Sequence, residues 1–412
     1  MTTLIKNKNI NYEKIYFYSV IIFAFTMPFA RGAISFFSIF FPIIWLLEGD
    51  FKRKFAEIKA SKILIIFLIF YTVIALSAIL SDNTKTALKF FRLYAYWFTL
   101  IVLATSVKKE WVQKIITAFL YGMFVSELVA YGIYFELWEY GVGSKTNPSP
   151  FMFHIDYSIY LAFTSILLFS RIISKGYSLK DKIFMSLFFI STTSNLFLQT
   201  GRTGQVAYIA AIIVMFFLVF KINFKSILYS LFSLIVIYAL AFNFSNSFKM
   251  RVEHTIADIK SISSGNLHTS WGQRLAFFAI TYETLKKYPI FGIGLGDFEE
   301  EAAIALQNPK FDNYPAKMKA FMSSNHFHNQ FLMSAMQMGI IGLAFTIAIY
   351  FLAFKKAFQT NSSEYKNIFT LFMVIYTIGS FADPLWNKQF TVFIWILIMS
   401  LMIALNKQDK KD

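Results

Sequence analysis

The chain has no cysteine among its 412 residues, and proline and glycine are scarce, at 8 and 17 residues. The lack of cysteine excludes disulfide bonds, thiolate-bound metal and a cysteine nucleophile. The scarcity of the two residues that disfavour helix interiors predicts mostly continuous helices. Strand-like alternation of apolar and polar residues is also missing, which argues against a β-barrel. The sequence shows no inverted internal repeat of the kind expected in many transporters.

What the chain has in quantity is apolar sequence, at 57% of its residues. The apolar residues come in runs of about 20, the length that crosses a bilayer as a helix. They predict an all-α polytopic membrane protein with about twelve spans and one large helical loop. The predicted spans are 15–31, 33–48, 63–81, 88–106, 112–135, 156–173, 182–200, 204–220, 226–244, 329–354, 367–386 and 389–406.

The formal net charge of +16 is distributed unevenly along the chain. Basic residues concentrate in alternate connecting segments, whereas the long segment 245–328 is nearly balanced. Positive charge marks the cytoplasmic side of a membrane protein, so we expect both termini inside and the long segment outside. Because topology explains the charge, a nucleic-acid partner is not needed. The basic segments are the N-terminus, 51–62, 107–114, 171–182, 220–225, 354–366 and the C-terminus.

These features divide the chain into three parts. Residues 1–244 hold predicted transmembrane helices 1–9, residues 245–328 form the outer loop, and residues 329–412 hold helices 10–12 and a cytoplasmic tail. The loop is too long and polar for a simple connection, and long loops usually carry function. It opens with an amphipathic helical pattern at 246–262.

Two further helices and a glycine-rich segment are predicted in the loop. One helix spans 270–287 and the other 299–321. Gly292, Gly294 and Gly296 resemble a dinucleotide fingerprint, but they follow a helix and lie in no βαβ pattern. We therefore predict a tight turn that returns the loop to the membrane surface.

Two arginines are candidate binding residues. Arg202 lies at the outer end of two spans with almost no loop between them, where an arginine is costly and usually has an anionic partner or a function. Gly201 and Gly204 beside it permit close backbone approach. Snorkelling to the interface is the alternative for Arg202. Arg274 lies on the predicted helix of the loop, where the alternative is a solvated surface residue.

Two histidines and two further cations complete the candidates. His326 and His328 lie where the loop enters span ten, a position that suits proton transfer because the ordinary pKa of histidine is near neutrality. A metal site at this pair is disfavoured, because the sequence has no further ligands nearby. Lys89 and Arg92, near the outer end of span four, either extend a cationic surface or anchor the helix.

Three sequence motifs lie in the outer loop or at the ends of predicted spans. They are GRTG at 201–204, the segment WGQRLAFFAITYETLKKYPIFGIGLGDF at 271–298, and HNQFLMSAMQMGIIG at 328–342. Together with a large outer loop before the tenth span, they resemble the O-antigen ligase family of bacterial lipopolysaccharide assembly. That family lies in a superfamily with O-antigen polymerases and protein O-oligosaccharyltransferases.

The third motif is the most specific part of the resemblance. It fits the ligase pattern of a histidine, a small polar residue and two spaced glycines, which here are His328, Asn329, Gly339 and Gly342. The arginine motif departs mildly, because Val206 stands where the family has leucine.

The resemblance implies a GT-C-like glycosyltransferase of the bacterial inner membrane. It would transfer a glycan from undecaprenyl pyrophosphate to lipid A–core oligosaccharide on the periplasmic face, among membrane lipids, with inversion and without cofactor or metal. Arg202 and Arg274 would bind the pyrophosphate and stabilise its leaving oxygen, and His328, with His326 as its rival, would take the acceptor's proton. The substrate-binding set expected on this basis is Arg202, Arg274, His326, Asn329, Lys89 and Arg92.

Other functions remain open at this point. An O-antigen polymerase would use a second carrier-linked glycan as acceptor with the same donor site, although the pattern at 328–342 favours a ligase. A protein glycosyltransferase usually has a longer C-terminal part. A transporter of lipid-linked glycans would normally have charged or broken helices at the membrane midplane.

Overall fold

A computed structural model of the chain describes residues 10–141, 143–263, 269–324 and 327–407. Every regular element within those residues is helical. Short 3₁₀ turns lie at Lys109–Trp111, Pro309–Phe311 and Leu385–Asn387. The α-helices are α1 (Tyr12–Thr26), α2 (Arg31–Glu48), α3 (Phe51–Ala60), α4 (Lys62–Ile79), α5 (Thr84–Ala95), α6 (Phe98–Ser106), α7 (Val112–Tyr134), α8 (His154–Ile173), α9 (Leu179–Leu198), α10 (Arg202–Phe220), α11 (Phe224–Phe244), α12 (Asn246–Ser263), α13 (Ser270–Lys287), α14 (Phe298–Ala305), α15 (Ala316–Ser324), α16 (Gln330–Phe358), α17 (Ser363–Ala382) and α18 (Gln389–Leu405).

The helices make this a multi-pass membrane protein. In the part of the chain that the structure describes, eight helical segments are long and apolar enough to cross a bilayer. Each of the twelve predicted spans overlaps a helix, and the span predicted at 88–106 corresponds to α5 and α6 together. Because α1, α9, α17 and α18 are not among the eight, the count of twelve stays a prediction.

The centre of the bundle is α18, whose residues from Gln389 to Ala404 are all buried. A helix that is apolar on all sides belongs in such an interior position. Aromatic rings of the neighbouring helices close around Trp395, including Tyr350 and Tyr376. Helix α18 packs mainly against α6 and also contacts α8 and α16, while α8, α10, α17 and α16 pack on one another in that order. The core is therefore built from large side chains with few polar atoms.

The connections between the helices gather at two ends of the bundle. The site end has the turns that precede α2, α5, α8, α10 and α18, together with the helices α12–α15. The opposite end has α3, where Arg53 pairs with Glu48, Asp50 and Glu57. The sequence predicts a plain connection at 51–62, but the structure has the helix α3, which buries Ile58.

At one place the structure of the loop differs from the prediction. The predicted helix over 299–321 is wrong, because the structure has two helices there, α14 and α15. Pro309 and Pro315 lie between them, and proline has no N–H to donate within a helix. The two earlier helices of the loop, α12 and α13, are confirmed, and Thr269 caps α13 by accepting from the N–H of Gly272 at 3.1 Å.

Helix α16 is kinked at Gly339, which has a φ of 62°. The kink frees backbone groups, and apolar surroundings require that such groups find other partners. The glycine-rich segment of the loop supplies them. The Ile340 N–H donates to Pro289 O at 2.9 Å, and the Ile293 N–H donates to Met336 O at 3.0 Å. The predicted turn at the three glycines is thus confirmed, and it lies directly against α16, whereas its return to the membrane surface stays a prediction.

The same segment also holds the start of α5. Asp297, which is buried, accepts from the Ser81 hydroxyl at 2.8 Å and from the backbone N–H groups of Asp82 at 3.0 Å and Asn83 at 2.7 Å. A Cβ added at Gly296 would lie 2.4 Å from Asn83 O, so the two backbones are in contact. The loop therefore ties α5 to the kink of α16.

Candidate functional site

A cavity of about 560 Å³ lies at the site end, where α10, α12, α13, α16 and α17 meet. We call it the arginine cavity, because its ionisable lining is Arg202, Arg251, Arg274 and His328. No carboxylate lines it within the described ranges. All four of these side chains are half-buried. The cavity is therefore a partly desolvated place with an excess of positive charge.

Arg202 is the first residue of α10, and the GRTG turn sets its position. A Cβ added at Gly201 would lie 2.6 Å from His154 O, and one added at Gly204 would lie 2.2 Å from Ser158 O. The predicted close backbone approach is confirmed, since α10 begins in direct contact with α8. The N-terminus of a helix carries partial positive charge, which adds to that of the arginine.

Arg251 on α12 and Arg274 on α13 face Arg202 from the loop. The charged neighbours of Arg202 are Arg251 and Asp258, and those of Arg274 are Arg202 and Asp383. Burial and the nearby Arg202 lower the pKa of Arg274, while Asp383 opposes the shift. Charges of one sign in a half-buried space repel each other. An anion that entered the cavity would relieve this repulsion.

His328 and Asn329 lead into α16. The Asn329 side chain caps this helix, since its Oδ1 accepts from the N–H groups of Phe331 at 2.8 Å and Leu332 at 3.1 Å. His328 has a side chain that is 29% exposed, and its Nδ1 lies 3.5 Å from Oδ1 of Asp383. The cap directs the chain so that the imidazole reaches the cavity. His326, the other predicted histidine, lies outside the described residues.

Asp383 belongs to a buried group of charges behind His328. Its side chain is fully buried at the end of α17, and Lys388 Nζ donates to it. Lys388 Nζ also lies 3.6 Å from Oδ1 of Asp156 on α8. Burial lowers the pKa of Lys388, but attraction by Asp156 and Asp383 outweighs it, so that the pKa is raised. Asp156, Lys388 and Asp383 therefore form one group of charges beside His328.

Lys89 and Arg92 are not in the arginine cavity. They line a second cavity of about 690 Å³ at the same end, together with Arg31, Lys388 and Asp156. We call this one the Lys89 cavity. The two predicted residues are set apart because α5 packs on α4 and on the turn at 385–387. Of the predicted substrate-binding residues, Arg202, Arg274 and Asn329 line one cavity, and Lys89 and Arg92 line the other.

Two features of the site did not emerge from the sequence. Arg251 lies in the predicted amphipathic helix. The sequence contains one weak signal for it, namely that it is a second arginine in the loop that holds Arg274. Lys388 had no signal of its own, although Asp156 and Asp383 stand near the ends of predicted spans. Charges at the ends of neighbouring spans pair only once the packing of those spans is known.

The fold and the cavity define a class: an all-helical multi-pass membrane protein with a cationic cavity at one end of its bundle. Residues 187–347 match the family model described as O-antigen ligase, which confirms the resemblance expected from the three motifs. That family covers O-antigen ligases and polymerases, which are glycosyltransferase-like enzymes. No curated protein matches the chain. The matched segment includes the three arginines and His328, but not Lys89 or Arg92.

Proposed function

We propose that the protein is an O-antigen ligase that transfers a glycan from undecaprenyl pyrophosphate to lipid A–core oligosaccharide. The observation that carries the proposal is the arginine cavity, in which Arg202, Arg251 and Arg274 surround a space that His328 also lines. A strongly anionic ligand and a proton acceptor are both required for this reaction. The family match over the same residues supports it.

The donor's pyrophosphate binds among the three arginines. Planar guanidinium groups form paired hydrogen bonds to phosphate oxygens, and the N-terminus of α10 adds backbone dipoles. When the bond between sugar and phosphate breaks, negative charge grows on the leaving oxygen. The same groups stabilise that charge, which makes carrier pyrophosphate a better leaving group. They supply the positive charge that a divalent cation supplies in many other enzymes.

The donor's lipid chain lies along the apolar wall of the cavity. Val206 on α10 is 56% exposed and Phe381 on α17 is 55% exposed, although both line the cavity beside Ile209. Apolar side chains that stay exposed on helices of a membrane protein face lipid. A continuous path from lipid to the arginines suits a substrate with a polyprenyl tail and a charged head.

His328 acts as the general base. Its Nδ1 faces Asp383, and Nε2 accepts the proton from the acceptor's hydroxyl. The hydroxyl oxygen forms its bond to the anomeric carbon while the carbon–phosphate oxygen bond breaks on the opposite side. Carrier pyrophosphate leaves with the electron pair, and the configuration inverts. Asp383 stabilises the imidazolium that results.

We place the site end toward the periplasm, in the inner membrane of a bacterium, with both termini in the cytoplasm. The excess of basic residues in the opposite set of connecting segments supports this orientation. The division at 244 and 328 and the GT-C-like arrangement are part of the same proposal. A reaction at the periplasmic surface also fits the location of the ionisable residues at one end of the helices.

The test is glycan transfer by the purified protein in lipid nanodiscs, with carrier-linked glycan as donor and lipid A–core as acceptor. We expect glycosylated lipid A–core from the natural protein and about a thousandfold slower formation of it by His328→Ala. Longer carrier-linked chains instead would identify a polymerase. Movement of the donor across the membrane without any new glycosidic bond would identify a transporter, and either result would contradict the proposal.

A further inference from the structure

The Lys89 cavity is not used by the donor chemistry, yet it is larger than the arginine cavity. It has a volume of about 690 Å³, against about 560 Å³ for the arginine cavity. Four cations line it, and Asp156 is its one acidic lining residue within the described ranges. Asp156 is already paired with Lys388. The lining therefore has a surplus of positive charge.

The three remaining cations point to an anionic ligand. Lys89 and Arg92 are exposed and three residues apart on α5, so they share one face of the helix. Arg31 is exposed at the start of α2, and its Nε donates to Oε1 of Gln389 at 2.9 Å. Among the residues that the structure describes, none of the three forms an ion pair. Because the Gln389 amide is uncharged, it orients the Arg31 guanidinium but leaves its positive charge in place.

The wall between the two cavities includes the buried Asp383. Asp156 and Lys388 line the Lys89 cavity, Asp383 is buried behind them, and His328 lines the arginine cavity. These four residues are in contact in that order, at 3.6 Å for Asp156 with Lys388 and 3.5 Å for Asp383 with His328. A ligand held in the second cavity is thus adjacent to the group that holds the base.

We propose that the Lys89 cavity binds the phosphate groups of the acceptor glycolipid. This inference rests on the proposed function, because a transferase with its donor's pyrophosphate in the arginine cavity needs a second place for its acceptor. Phosphate groups held by Lys89 and Arg92 anchor the acceptor, and its reacting hydroxyl lies elsewhere in the molecule. No bond to phosphate is formed or broken in this cavity.

The segment that matches the ligase family supports a separate role for this cavity. Residues 187–347 include Arg202, Arg274 and His328, whereas Arg31, Lys89 and Arg92 lie outside them. Donor recognition is thus carried by the part of the chain that the family model describes. The second cavity is built from the rest of the chain.

The experiment measures acceptor binding and acceptor turnover separately. Lys89→Gln, Arg92→Gln and the double variant remove the charges, and Lys85→Gln is the matched control, an exposed lysine on α5 that does not line the cavity. Binding of lipid A–core is measured in the His328→Ala background and without donor, so that no transfer occurs. The probes are lipid A–core, the same glycolipid after enzymatic dephosphorylation, and undecaprenyl pyrophosphate.

We expect each single variant to weaken binding of the phosphorylated glycolipid about tenfold, which corresponds to about 1.4 kcal/mol. The double variant should lose about a hundredfold. Dephosphorylated glycolipid should bind weakly and equally to all the proteins, and Lys85→Gln should behave as the natural chain does. In turnover, the KM for the acceptor should rise while the KM for the donor changes less than about twofold.

Three results would overturn the inference, and each differs from failure of the proposed function. Unchanged binding in the double variant, or equal loss with the dephosphorylated probe, means that the cations do not hold phosphate. A loss confined to undecaprenyl pyrophosphate means that the cavity serves a second carrier-linked substrate. If the glycolipid binds through Lys89 and Arg92 but the natural chain forms no glycosidic bond, the cavity assignment stands and the ligase assignment fails.

Discussion

The two cavities at the site end hold similar numbers of cations in different surroundings. In the arginine cavity, three arginines from α10, α12 and α13 are half-buried beside apolar side chains. In the Lys89 cavity, Arg31, Lys89 and Arg92 are exposed. Electrostatic interactions are much stronger where water is excluded than at a solvated surface. The first arrangement suits the stabilisation of charge during a reaction, and the second suits reversible capture of an anion.

This contrast makes a general prediction about kinetics. Substitutions in the arginine cavity should lower kcat, because the charge they stabilise is largest in the transition state. Substitutions in the Lys89 cavity should raise the KM for the acceptor, because the phosphate groups do not change during the reaction. The following experiments test the contrast in order of decreasing expected effect.

Replacing His328 with alanine should have the largest effect. Loss of a general base costs about 10²- to 10⁴-fold in rate, so kcat should fall by about a thousandfold. Binding of the lipid-linked donor should change little, because the arginines remain. His254→Ala is the matched control, an exposed histidine on α12 that does not line either cavity. Turnover within about tenfold of the natural protein would remove His328 from the mechanism.

Exchanging arginine for lysine separates charge from shape. In Arg202→Lys and Arg274→Lys the charge remains but the planar fork is lost, so kcat should fall about a hundredfold. The same exchange in the second cavity, Arg92→Lys, should change the acceptor KM by less than about threefold, because an exposed point charge suffices there. Transfer rates at saturating donor measure the first effect. If exchanging arginine for lysine impaired transfer equally in the two cavities, the proposed difference between them would be wrong.

The sequence was sufficient to predict that Arg202, Arg274 and His328 belong to one site. Each lies within a local motif that also sets its backbone: glycines around Arg202, a helix pattern around Arg274 and a helix start after His328. The family resemblance then implied their common task. Local signals of this kind are carried by neighbours in the chain, and they require no knowledge of how distant helices pack.

The parts that could not be predicted depend on contacts between residues far apart in sequence. The Asp156, Lys388 and Asp383 group joins three helix ends, and at the kink of Gly339 the Pro289 carbonyl accepts a hydrogen bond while the Ile293 N–H donates one. No spacing in the chain encodes these pairs. The separation of Lys89 from the arginines likewise follows from how α5 packs, which hydrophobic periodicity leaves open.

Replacing Asp383 with asparagine tests the wall between the cavities. The amide keeps the shape but removes the charge that holds His328 and Lys388, so kcat should fall about tenfold to a hundredfold. Asp383 acts through His328, so the double variant His328→Ala/Asp383→Asn should be no slower than His328→Ala alone. Thermal unfolding in detergent measures the structural cost separately. A further loss of rate in the double variant would show that Asp383 acts independently of the histidine.

Salt should produce the smallest effect and should act on only one of the cavities. The Debye length falls from about 10 Å at 0.1 M to about 3 Å at 1 M ionic strength, which screens exposed charges far more than half-buried ones. Raising NaCl over this range should therefore increase the acceptor KM about three- to tenfold through Arg31, Lys89 and Arg92. The donor KM should change less than about twofold, because the arginines contact its pyrophosphate away from bulk water. In the Lys89→Gln/Arg92→Gln protein most of the salt effect on the acceptor should disappear. Equal salt sensitivity for donor and acceptor would mean that the two cavities are equally solvated when substrates are bound, and the contrast in burial would then have no consequence for function.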